Sequence, residues 1–199
     1  MTHPCFLPPR SGNGSNCDDV KEMVNTLRKL GNDLVYGIID YDNHNNGNKH
    51  VFVLGDGKRY AIDNYIFDPI YVAFLLVYEN IMSTDTMGIG IKTRFVQFST
   101  LSDGQLQTMV DYVAHELDFN SGEFVEYTVQ ANKTFKVDKG YFTIQGHDLE
   151  NRIKEKWPRL KSIAKGGDDR LKLYMLDRII KEYPEFISMD FVDLLKKME

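Results

Sequence analysis

The chain has 199 residues, 42% of them hydrophobic and 12% aromatic, enough large side chains to fill a core, which excludes global disorder. Its 24 Lys and Arg against 29 Asp and Glu leave a net charge of −5. No overall cationic field is therefore present to hold nucleic acid, and any such contact needs a local patch, a metal ion or a partner.

Cys5 and Cys17 are too few for a disulfide scaffold. Reduced thiols in a cytoplasmic protein are the expectation. Residues 1–10 lack the apolar core of a signal peptide.

In chain order, Cys5-Phe-Leu-Pro8 has the form of a short strand, followed by a Gly/Asn/Ser loop. Asp18 or Asp19 can cap a helix with Val20, Met23, Val24, Leu27 and Leu30 at helical spacing, stopped by Gly31. Leu34 to Ile39 is nearly continuously apolar, as in a strand buried on both faces of a parallel sheet. It runs into Asp40-Tyr-Asp42, a polar loop, and a second strand, Val51 to Leu54. After the turn Gly55 to Lys58, Asp68-Pro69 starts a helix from Ile70 to about Met82. That helix is apolar on nearly every side, yet shorter than the roughly 20 residues a bilayer requires, so it reads as buried core.

Ser102-Asp-Gly-Gln105 forms a capping box for a helix through Leu117. Glu123 to Gln130 and Thr134 to Asp138 read as antiparallel strands, with Tyr141 to Gln145 as a third. Helical patterns fill 148–163, broken at Pro158, then 168–182 and 188–198. The order implies an α/β half at 1–98 and an α+β extension with a small antiparallel hairpin at 99–199, packed on the core as two domains or one compact one.

Asp40 and Asp42 are the clearest candidates for chemistry. Ligands in open α/β sheets bind at the carboxyl ends of strands. Alternation sends both carboxylates to the same side, within reach of one hard cation such as Mg²⁺. The plainer alternative is that they cap the loop and keep it soluble.

The run Gly37-Ile-Ile-Asp-Tyr-Asp42, the strand Val51 to Leu54, and Arg59-Tyr-Ala-Ile-Asp-Asn-Tyr65 together resemble the TOPRIM domain of OLD-type nucleases and of TOPRIM-like proteins that accompany AAA or ABC-type ATPases. Ala61 and Asp63 stand where that pattern usually has Ser and Glu. The resemblance covers about residues 5–82. It implies a Rossmann-like, mainly parallel sheet with helices on both faces. It also implies Mg²⁺ or Mn²⁺ held by Asp40 and Asp42, with Asp63 as a third metal-site carboxylate, and metal-assisted phosphodiester cleavage in DNA processing or phage defence. Asn43, His44, Arg59 and Asn64 are the neighbouring candidates.

The family's essential Glu-Gly pair has no counterpart upstream of Asp40, where Glu22 is the only glutamate. The expectation is a chain short of the strand that carries it, so that catalysis by this chain alone is in question. No Gly-x-x-x-x-Gly-Lys-Ser/Thr loop occurs, so an ATPase would be a partner. The alternatives are a non-catalytic regulatory module docking such an ATPase, or an unrelated Asp-x-Asp phosphoryl-transfer enzyme. The basic residues from Arg152 to Lys181 admit a nucleic-acid contact, but interspersed acids also make them a solvated helix face.

Overall fold

The computed structural model describes residues 16–55, 57–90, 97–165, 167 and 169–198. The expected strand at Cys5 to Pro8 lies outside them. Helix α1 spans Cys17–Lys29. Its N-cap is Asn16, whose side chain accepts from Asp19 N, while the Asp19 side chain accepts from Asn16 N. Asp19 is thus the third helical residue of a capping box rather than the cap itself.

Strands β1 (Gly37–Asp40) and β2 (Val51–Leu54) pair in parallel, with Gly37 opposite Val51 and Asp40 opposite Leu54. Alternation divides their side chains. Ile39 and Val51 pack with Val24 of α1 on one face. Ile38, Phe52 and Leu54 pack on the other with Leu194 and Phe191 of α9 (Met189–Lys196). The expected strand from Leu34 is shorter than its apolar run. Pairing with β2 begins at Gly37, and Leu34 is 86% exposed, although Val35 still packs against the cluster of Val24, Ile39 and Val51. Among the described residues the parallel sheet has these two strands alone.

The short α2 (Asp63–Ile66) leads into α3 (Pro69–Tyr78), capped by the Asp68 carboxylate on Ile70 N. Every residue from Ile70 to Leu76 is at most 2% exposed. Around α3 lie α4 (Asp103–Glu116) and the antiparallel hairpin of β3 (Phe124–Thr128) and β4 (Thr134–Asp138). The same core takes in α6 (Gly146–Lys156), α7 (Leu160–Ile163) and α8 (Arg170–Met175), which runs on as a π-turn over Leu176–Ile180. It draws residues from both sides of position 98.

The third strand expected at Tyr141 to Gln145 is instead α5 (Lys139–Thr143). Asp138 accepts a hydrogen bond from Gly140 N at 2.8 Å, which turns the chain into a helix. Tyr141 and Phe142 are then both buried, an outcome that strand alternation forbids on a half-buried sheet. No helix among the described residues is long and apolar enough to cross a membrane.

Candidate functional site

Asp40 closes β1 and meets the chain again 22 residues later. Its Oδ1 accepts a hydrogen bond from Ile62 N at 2.8 Å. The loop between β1 and β2 begins with Asp42 and Asn43 in the left-handed region, at φ 48° and 59°. Asp and Asn tolerate that conformation better than other residues with a Cβ. Asn45, 8% exposed, ties this turn together. Its Nδ2 donates to the Asp40 carbonyl at 2.9 Å and to Asp42 Oδ2 at 3.1 Å. Asp42 N donates to Tyr60 O at 2.8 Å. Both carboxylates are therefore positioned by backbone and amide groups. Neither has an ion-pair partner among the described residues.

Asp63 reaches the same end of the sheet from the start of α2. Its Oδ2 lies 2.9 Å from Lys172 Nζ of α8. It also rests against the first residue of α6. A Cβ on Gly146 would stand 2.5 Å from Asp63 Cβ and 2.6 Å from its Oδ2. Glycine thus leaves the notch in which the Asp63 side chain sits. The amino end of α6 favours the negative charge lodged there.

Burial is the largest influence on Asp40 and raises its pKa; the Ile62 N–H opposes this, and the charges of Asp42 and Asp63 add to the rise. Lys172 also opposes it, yet the net pKa lies above the ordinary carboxylate value. The charges of Asp42, Asp63 and Lys172 thus all act on Asp40.

The chemistry of these donors fits a hard divalent cation. Among the described residues, Asp40 and Asp42 offer carboxylate oxygens with no ion-pair partner of their own. The number of donors is small: among the described residues, no three His, Cys, Asp or Glu side chains are grouped so as to hold a metal ion. Mg²⁺ commonly binds through one or two carboxylates, keeps several waters and takes a substrate phosphate. The pair Asp40 and Asp42 meets that description, whereas Asp63 is engaged by Lys172.

The remaining residues suggested by the motif sit elsewhere. Arg59 is 1% exposed. It donates to Asp68 Oδ2 at 2.8 Å and to the Asn64 carbonyl at 2.6 Å. The Phe142, Tyr65 and Tyr127 rings lie 3.7, 4.5 and 4.9 Å from its guanidinium carbon. Asn64 accepts from Ala61 N at 3.0 Å and donates to the Ile144 carbonyl at 3.1 Å. These two side chains join the α2 segment to α5 and to the hairpin. His44 turns onto its own loop, with Nδ1 2.5 Å from the Asp42 carbonyl. Asn43 is exposed on the same loop. The sequence did not single out Asn45, Gly146 or Lys172 as parts of the site. Lys172 stood only among the basic residues of the tail.

Compared with known proteins, the chain matches no family model, no curated protein and no solved structure.

Proposed function

We propose that the chain is a nuclease-related, TOPRIM-like module in which Asp40 and Asp42 hold Mg²⁺ or Mn²⁺ for phosphodiester cleavage, acting in DNA processing or phage defence. The observation that carries this reading is the pair Asp40 and Asp42, both without an ion-pair partner among the described residues, at the carboxyl end of a parallel strand, with the charges of Asp63 and Lys172 also acting on Asp40. Ligands of α/β sheets bind at that end. Bound there, Mg²⁺ would supply charge stabilisation on a phosphoryl oxygen and a water of lowered pKa. Asp40 and Asp42 would hold it. Asn45 and the Ile62 N–H hold those carboxylates in place, so that little reorganisation is needed when substrate arrives. The Lys172 ammonium offers a positive charge for the substrate's phosphate. With a net charge of −5, the substrate strand is best delivered by a partner, for which an ABC or AAA-type ATPase is the proposal.

The test is plasmid nicking in Mg²⁺ or Mn²⁺. Cleavage should fall at least a hundredfold in Asp40→Ala and Asp42→Ala. Cleavage that persists in both variants would refute the assignment.

One observation favours a second reading, the non-catalytic docking module. Asp63 is neutralised by Lys172, which leaves two carboxylates rather than three for a metal. Metal binding without any DNA cleavage, alone or with an ATPase present, would select it.

A further inference from the structure

We propose that the outer edge of β1 is a docking site for an extended segment of another polypeptide, added to the sheet as a third strand. That segment is apolar along its length and carries an acidic side chain at the end that meets Arg28. Such docking is independent of any metal at Asp40 and Asp42.

Each strand of a parallel pair bonds its partner through alternate residues. Gly37 N donates to the His50 carbonyl at 2.8 Å, so Gly37 and Ile39 face β2, and the N–H and C=O of Ile38 face away from it. Neither of these Ile38 groups has a hydrogen-bond partner among the described residues. The outer edge of β2, by contrast, is blocked at its start by the loop before it. Asn48 N donates to the Val51 carbonyl at 2.8 Å, and Val51 N donates to Asn48 Oδ1 at 3.0 Å. An open edge is a template for pairing with another chain, and folded proteins usually cover it. Helix α1 packs on one face of this sheet and α9 on the other, so an occupant of the β1 edge enters from the side, as a strand does.

The surface at the amino end of β1 sets the chemistry of the occupant. Leu30, which closes α1, is 79% exposed, and Tyr36 is 37% exposed; with Leu34 they offer apolar contact beside the free backbone. The Arg28 guanidinium carbon lies 4.8 Å from the centre of the Tyr36 ring. Its Nε donates to the Val35 carbonyl at 2.8 Å, a second nitrogen stands 4.0 Å from Asp33, and the third, buried, has no hydrogen-bond partner among the described residues. Asp33 is 91% exposed, so water screens that pair. Lys49 adds a positive charge beside His50, whose ring centre is 6.2 Å from that of Tyr36. With His50 neutral, Arg28 and Lys49 against Asp33 leave this end of the strand positive, while Asp40 and Asp42 make the other end negative. A segment of complementary charge is acidic at the Arg28 end and basic at the Asp40 end.

The test is amide hydrogen exchange, read by NMR on the whole chain in buffer without divalent ions. In the chain alone the Ile38 amide should exchange at least about tenfold faster than that of Ile39, which faces β2. The probe is a capped peptide of about ten residues, alternating valine and threonine, with two aspartates at one end and two lysines at the other. It is made in both sequence orders, one suited to a parallel and one to an antiparallel strand. One order should slow Ile38 exchange by about tenfold or more and leave Ile39 unchanged. N-methylation of the peptide backbone should abolish the effect. A peptide with lysines at both ends should bind at least about fivefold more weakly, and Arg28→Gln should remove that difference. An Ile38 amide as slow as that of Ile39 in the chain alone would mean that the edge is already covered, and would overturn the proposal. Failure of both sequence orders to slow it would do the same, as would equal binding of the lysine-ended peptide. Slowing that grows with protein concentration, together with a dimer in sedimentation, would give the edge to a second copy and overturn it too. None of these results bears on Mg²⁺ binding at Asp40 and Asp42.

Discussion

Two clusters of ionisable groups, one around Arg59 and one around Asp40, are built on different plans. Around Arg59 the charged groups are each held by hydrogen bonds or an ion pair. The guanidinium meets Asp68, Tyr127 and Ile70 N complete that carboxylate's hydrogen bonds, and three aromatic rings close the sides. Around Asp40 the charges are unequal, with three carboxylates to one ammonium. The second is held in place by hydrogen bonds, and Asp40 and Asp42 have no ion-pair partner among the described residues, which is why it is the candidate site.

The largest expected effect lies in the closed cluster. Arg59→Met would strand the Asp68 carboxylate in the core and should cost about 3 to 5 kcal/mol, read by urea unfolding. Asp42→Asn should change stability by less than about 0.5 kcal/mol, as surface substitutions do. Equal losses in the two variants would erase the distinction between the clusters. Next in size is Gly146→Ala. The added methyl would press on Asp63 at about the distances that oblige a core to shift, costing roughly 1 to 3 kcal/mol. A neutral result would mean that the Asp63 notch is not a constraint.

The smallest effects carry opposite signs. In the closed cluster, burial works against ionisation of Asp190, but the Arg59 charge and hydrogen bonds from Ser188 and Tyr65 outweigh it and hold its pKa below the ordinary value. Its stabilising contribution is therefore present above the unfolded carboxylate's pKa, and fades as pH falls through the native one. Asp40, raised, is the converse. Ionised, it costs the native state stability at neutral pH, and the cost vanishes as pH drops below the unfolded pKa. Asp190→Asn should therefore destabilise at pH 7, by about 1 to 2 kcal/mol. Asp40→Asn should raise the melting temperature slightly there. Both differences should shrink in acid, and a loss of stability in Asp40→Asn at pH 7 would mean that its carboxylate is already compensated.

Much of the fold was legible because it is local. Capping boxes, the apolar α3 helix and the hairpin are written in residues a few positions apart. Half of the site was equally legible, since Asp40 and Asp42 sit together at the end of an apolar strand. The other half was not. Lys172 meets Asp63 across more than a hundred residues, and Gly146 across more than eighty. No spacing encodes such pairings. Arg59 and Asn64 were legible as a motif but not as to role. Their surroundings come from Phe142, Tyr127 and Ile144, which only the folded chain brings near. Tyr141 to Gln145 misled because its β-branched and aromatic residues favour a strand, while the Asp138 cap overrides them.

The most direct test of the site is the melting temperature under Mg²⁺ titration for the wild type, Asp40→Asn and Asp42→Asn. A saturable rise is expected in the wild type, because a ligand that binds only the native state stabilises it. That rise should be lost in both variants. No rise in the wild type, or the same rise in all three proteins, would contradict a cation site at Asp40 and Asp42.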